Sequence, residues 1–120
     1  MPILDIEIVT ARPLDRGLAS RLADMAGEVF GGPPGNTWVR VRALAPECFA
    51  ENGIAEPEGH RSVFVKVLKA RLPAGEALAA EMRALAEGVA RACDRKLEHV
   101  HILYEPEAQG RIAFGGCLKW

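Results

Sequence analysis

The sequence predicts an α/β fold: a duplicated β-α-β unit giving a four-stranded sheet with two helices on one face. Three observations carry that prediction. The chain opens on an alternating run, MPILDIEIV, in which Leu4, Ile6 and Ile8 fall on one side and Asp5 and Glu7 on the other, the period of a half-buried strand. An amphipathic helical stripe follows it, and then a second strand, WVRVRAL. The whole order then repeats: PILDIEIVTARP, starting at Pro2, has its counterpart in RSVFVKVLKARL, starting at Arg61.

The elements follow in order. The first strand leads through A-R into DRGLASRLADMAGEVF, where Leu18, Leu22, Met25 and Val29 recur at helical spacing. The turn-forming GGPPG closes this helix and lacks the Lys-Ser/Thr of a phosphate-cradling loop. TWVRVRAL is the second strand, and CFAENG ends the first copy, residues 1–57. The stretch IAEPEGH is the joint. In the second copy, residues 61–120, a strand in RSVFVKVL precedes a helix in AGEALAAEMRALAEGVARAC with the stripe Leu78, Met82, Leu85 and Val89. EHVHILYE is the last strand and RIAFGG the closing segment. A strand-helix-strand crossover makes the strands of each unit parallel and right-handed. One sheet face then lies under the helices, while the other, carrying Trp38 and Phe64, calls for a partner chain.

Composition narrows the function classes. At 120 residues the chain is one domain with a single core. A formal net charge of -1 with 26% charged residues provides no basic footprint for nucleic acid. No apolar run has the length of a membrane span, and the start lacks a signal-peptide layout, so the expected location is the cytoplasm. Cys48, Cys93 and Cys117 are odd in number and widely spaced, which argues for reduced packing thiols. His99 and His101 lack a third nearby ligand, so neither a metal nor another cofactor is expected.

Pro2 is the residue with chemistry in prospect. A small residue after Met1 normally permits methionine removal, which leaves a secondary amine at the head of an ordered strand. An α-amino group titrates near 7.7–8.0, and burial or nearby cations lower that value, so such an amine is a base at neutral pH. Read without further context, Pro2 is better taken as a proline that starts an edge strand. Arg40 and Arg42 share a strand face with Trp38 and form a candidate anion surface, and Tyr104 is a candidate donor.

Met-Pro followed by a strand, the β-α-β duplication, the strand-end A-R and PPGNTWVRV together resemble the tautomerase superfamily, whose members include 4-oxalocrotonate tautomerase, 5-carboxymethyl-2-hydroxymuconate isomerase and macrophage migration inhibitory factor. The chain looks like a fused, double-length member, and the resemblance covers nearly all of it. It implies a homotrimer with helices outside and sheets inside. It also implies keto-enol proton transfer on a small carboxylate-bearing 2-oxo acid or dienol, with Pro2 as general base. By the same resemblance Arg71, with Lys69 nearby, binds the carboxylate, joined by Arg40 or His101 from a neighbouring chain. Ile112 and Phe114 are the matching apolar walls, with Ala113 where water-activating dehalogenases of this type carry a glutamate. The glutamate match, Glu51, would instead join Phe49 and Arg12 in a second, pseudo-equivalent pocket, where Arg61 takes the proline position. Alternatives on the same scaffold are a decarboxylase, hydratase or dehalogenase of a small unsaturated or oxo acid. Outside catalysis, a trimeric binding domain fits the same features.

Overall fold

The computed structural model describes residues 1–55 and 61–120. Residues 56–60, most of the IAEPEGH joint and the end of the first repeat, lie outside the described residues. The elements are β1 (Ile3–Val9), α1 (Leu18–Phe30), β2 (Trp38–Leu44), β3 (Val63–Leu68), α2 (Gly75–Cys93), β4 (Val100–Tyr104), β5 (Ile112–Phe114) and β6 (Cys117–Lys119), with short 3-10 turns at Pro46–Cys48 and Leu97–His99.

The main sheet has the order β2-β1-β3-β4. β1 pairs parallel with β2, and β3 parallel with β4, as crossover connections require. The two units meet through an antiparallel pairing of β1 with β3, from Ile3 opposite Leu68 to Ile8 opposite Val63. The fold is thus the expected four-stranded α/β sheet with two helices, and its halves are related by a pseudo-twofold axis through that central pair.

Alternation sorts the side chains. Leu4, Ile6 and Ile8 of β1 and Val63, Val65 and Val67 of β3 are buried beneath the helices. Leu18, Leu22 and Ala26 of α1 and Leu85 and Val89 of α2 close on them, with Met25 and Val29 partly buried beside the same core. The two helices touch where α2 carries Gly88: a β-carbon there would stand 2.6 Å from Met25 Cγ, so the missing side chain permits the approach. Helix α1 ends on Gly31 at φ 72°, whose N–H donates to Gly27 O, and α2 ends on Asp94 at φ 53°.

The opposite sheet face carries Trp38, Arg40, Arg42, Phe64, Lys66, His101 and Leu103 in the open. Trp38 is 47% exposed and Leu103 59% exposed. Arg40 forks onto Asp5 at 2.6 and 2.9 Å, and Arg42 Nε lies 3.0 Å from Glu7. Asp5 holds the Arg40 guanidinium above its ordinary pKa by hydrogen bond and charge. Phe64 stacks between Phe49, 5.7 Å away, and His101, 5.6 Å away.

The closing segments of the repeats differ from the expected symmetry. RIAFGG does not stop at its glycines. It folds with the residues after it into the β5-β6 hairpin, turned at Gly115 (φ 58°) and Gly116 (φ 85°). Two consecutive residues with positive φ are what a tight hairpin turn needs, and glycine supplies them without strain. Cys48, the first residue of CFAENG, ends the 3-10 turn Pro46–Cys48, and the rest of the segment continues as a loop. The cysteines also depart from expectation: only Cys93 is half-buried, where burial pushes its thiol pKa up, whereas Cys48 and Cys117 are exposed.

Candidate functional site

Pro2 is buried at the head of β1, one of the two central strands. Its carbonyl accepts the Trp38 N–H at 3.0 Å, which pins the start of the chain to β2. Met1, before it, lines a cavity of about 380 Å³. Ile112, Phe114 and Trp120 form its apolar side, and Asn36, Gln109 and Lys119 its polar side, with Ala70 and Ala108 between. The β5-β6 hairpin contributes Ile112, Phe114 and Lys119 to this wall. Gly110 N–H donates to Lys119 O at 3.0 Å, and Ala108 N–H donates to Lys69 O at 2.9 Å, tying the hairpin base to the end of β3. Phe114 also meets Trp38 edge-on at 5.4 Å.

Arg71 stands beside this cavity rather than in its wall. Its Nε donates to Gln109 Oε1 at 2.6 Å, so the guanidinium is linked to the cavity through one of its lining amides. Lys69 does not accompany it. Residue 69 continues the odd-numbered, helix-facing side of β3, and its ammonium sits 2.8 Å from Glu81 of α2 and 4.8 Å above the Phe30 ring. The second oxygen of Glu81 accepts the Tyr104 hydroxyl at 2.6 Å. Burial, then the bond to Glu81, drives the Tyr104 pKa far above its ordinary value. Lys69 and Tyr104 are therefore committed to a half-buried carboxylate, and Lys69 does not join Arg71 beside the cavity.

Arg40 and His101 are also away from this cavity within the protomer. Both lie on the open sheet face, Arg40 on Asp5 and His101 on Phe64. Arg40 borders a different hollow of about 350 Å³ with Lys66 and Arg111. His99, by contrast, is buried in the turn before β4. Among the described residues no group of three His, Cys, Asp or Glu side chains could hold a metal ion.

At the other end of the central pair lies the counterpart cavity, about 660 Å³, lined by Arg12 and Arg61 as the duplication implies. Phe49 and Glu51 are not part of it: Phe49 turns to the open face beside Phe64, and Glu51 is exposed in the loop after Cys48.

Ile112, Phe114 and the chain start are thus brought together, with Arg71 at one remove. Asn36, Gln109, Lys119 and Trp120 were missed by sequence reasoning. Gly115-Gly116 flanked by IAF and CLK is a hairpin signal that would have found the last two.

No family model and no curated protein matches the chain. Solved structures do. The chain is similar to a fused 4-OT in a wild-type symmetric trimer, at TM-score 0.77 and 17% identity over 98% of this chain and 94% of that one. It is also similar to a macrophage migration inhibitory factor from Oncomelania hupensis, at TM-score 0.73 and 18% identity over 99% and 82%. A malonate semialdehyde decarboxylase inhibited by 3-bromopropiolate aligns at TM-score 0.71 and 18% identity over 94% and 88%. These structural neighbours are tautomerase-superfamily proteins, and at such identities the likeness establishes the shared fold. No helix among the described residues is long and apolar enough to cross a membrane.

Proposed function

We propose that the chain is a fused member of the tautomerase superfamily. It acts as a cofactor-independent isomerase that moves a proton between carbon and oxygen, or between two carbons, of a small carboxylate-bearing 2-oxo acid or dienol. The observation that carries this reading is that Met1 lines a cavity together with Ile112, Phe114 and Trp120, with Pro2 next to it in sequence at the head of a central strand. Removal of Met1 opens that space and turns the Pro2 amide nitrogen into a secondary amine.

The chemistry follows from the surroundings. Apolar walls disfavour the charged amine, and the cationic charge of Lys119 and Arg71 lowers its proton affinity further. The neutral amine takes a proton from the enol or α-carbon of the substrate. Lys119 in the wall and Arg71, reached through Gln109, hold the carboxylate and the developing enolate charge. The resulting ammonium returns the proton at the second position. Arg40 or His101 serves a pocket of a neighbouring chain, in a homotrimer that covers the open sheet face. The assembly of the fused 4-OT neighbour as a trimer and the exposure of Trp38 and Leu103 support this arrangement. Lys69 contributes by anchoring Glu81 and the end of β3.

The test is intact mass together with ketonisation of 2-hydroxymuconate and phenylenolpyruvate by wild type and Pro2→Ala. The expected result is loss of the methionine mass and a fall of about 10²–10⁴ in rate in the variant, the range for a removed general base. Retained methionine in an active protein overturns the mechanism. The malonate semialdehyde decarboxylase neighbour favours one second reading, in which a protonated Pro2 amine promotes decarboxylation or hydration. A trimmed protein inactive in ketonisation, with an amine pKa above neutrality, selects it. Ligand binding with no turnover in any of these assays selects the trimeric binding domain.

A further inference from the structure

The segment that carries Arg71 is clamped by the loop that leads from β4 into the β5-β6 hairpin. Ala108 N–H donates to Lys69 O at 2.9 Å, and Gln109 N–H donates to Ala70 O at 3.2 Å. On the far side of Arg71, the Leu72 N–H donates to Glu107 Oε2 at 2.7 Å. The backbone on both sides of Arg71 is therefore held before any ligand arrives. The side chains meet inside this clamp, where Arg71 Nε donates to Gln109 Oε1 at 2.6 Å.

That bond decides which way round the Gln109 carboxamide stands. Guanidinium nitrogens only donate, so the carboxamide turns its oxygen to Arg71 and keeps its NH2 on the opposite branch. Among the described residues this NH2 has no hydrogen-bond acceptor. Gln109 lines the Met1 cavity and Arg71 does not, so the NH2 is the branch available there. Asn36, the other amide of the wall, has no side-chain partner among the described residues to set its orientation. Lys119 and Arg71 carry full charges and suit the carboxylate of a substrate. A neutral N–H fixed in advance suits an oxygen on which charge appears only during the reaction.

We propose that Gln109 is a further catalytic residue, whose carboxamide NH2 donates to the 2-oxygen of the substrate; the assignment rests on the reading of the Met1–Pro2 cavity as the site of proton transfer. As the Pro2 amine takes the enol O–H proton, the negative charge left on the 2-oxygen meets this donor. The ammonium then delivers the proton to the next carbon, and the electron pair on oxygen closes the C=O bond. With its Nε on Gln109, Arg71 keeps Nη1 and Nη2 for the carboxylate. The carboxamide thus divides the two oxygen functions of a 2-oxo acid between neighbouring side chains.

The experiment measures ketonisation of phenylenolpyruvate, and its inhibition by 3-phenylpropanoate, with wild type, Pro2→Ala, Gln109→Met and Gln109→Glu. The inhibitor keeps the carboxylate and the ring but lacks the 2-oxygen. Gln109 is exposed, so both of its substitutions should leave the circular dichroism unchanged. Gln109→Met should lower kcat and kcat/KM together by about 10²-fold, the loss expected for one transition-state donor, and leave the Ki of 3-phenylpropanoate unchanged. Gln109→Glu retains an acceptor for Arg71 Nε but no N–H, so its kcat should fall at least as far. Parallel losses of kcat and inhibitor affinity in Gln109→Met would make Gln109 a positioning residue for Arg71 and overturn its role as donor. Pro2-dependent turnover with unchanged kcat in either Gln109 variant overturns the assignment and leaves the proton-transfer reading in place. A wild type without Pro2-dependent turnover removes that reading and this assignment with it.

Discussion

Replacing Glu81 with Gln tests whether the half-buried cluster under α2 holds the second repeat together or merely decorates it. Glu81 accepts Lys69 at 2.8 Å and Tyr104 at 2.6 Å, and its side chain is 14% exposed against 17% for Lys69. The carboxamide can still accept from one of these donors, but it turns its NH2 toward the other and leaves the ammonium without a counter-charge. Breaking a fully buried pair from one side costs about 3–5 kcal/mol, and an exposed pair contributes about 0–1 kcal/mol. Because both groups retain some contact with water, the loss expected here is about 2–3 kcal/mol. At a urea slope of about 1–3 kcal/mol/M, that lowers the midpoint by roughly 1–2 M. The comparison requires one fixed chain concentration, since self-association stabilises by mass action. The double variant Lys69→Met/Glu81→Leu should recover much of the loss, because apolar residues of similar size can replace a buried pair at little cost. A Glu81→Gln midpoint shift equivalent to less than 0.5 kcal/mol would refute the reasoning and class the pair with screened surface bridges.

Tyr104 is the sole tyrosine, so absorbance near 295 nm reports its ionisation alone. The tyrosinate band of the folded protein should appear well above pH 10. Its folded pKa is raised, so its stabilising contribution is complete below the unfolded value near 10 and is lost as pH rises toward the folded one. Tyr104→Phe should flatten that alkaline decline in thermal unfolding. Gly88→Ala places a methyl against Met25; overpacking of about 1–3 kcal/mol outweighs a helix-propensity gain of about 0.8–1.0 kcal/mol, so chemical denaturation should show a net loss near 1 kcal/mol. Leu103→Asp, on the open sheet face, should leave the protomer's circular dichroism intact and shift sedimentation from the mass of the proposed trimer to that of the monomer. An unchanged sedimentation coefficient would show that this part of the face stays uncovered.

Local periodicity decided the main elements. Alternation in PILDIEIV and RSVFVKVL and the stripes of α1 and α2 each specify a face, and burial of Leu4, Ile6, Leu22, Leu85 and Val89 follows from them. The duplication made the pairing of each repeat's own strands legible, because a crossover leaves one handed solution. What periodicity could not decide is how the repeats join. Only the tertiary structure puts β1 antiparallel to β3, and that register sets Pro2 and Arg71 at one end and Arg12 and Arg61 at the other. It also decided the aim of long side chains near strand ends. Lys69 is drawn under α2 by Glu81, and Arg71 outward by Gln109, because each cation finds its partner on a segment distant in sequence. Gly115-Gly116 marks a hairpin in the sequence, but its few residues carry little periodic signal, and that the chain end folds back on Met1 is decided by the tertiary structure. Alternation and helical stripes are local and survive in the sequence; the cavities form where distant segments converge, which only the folded chain specifies.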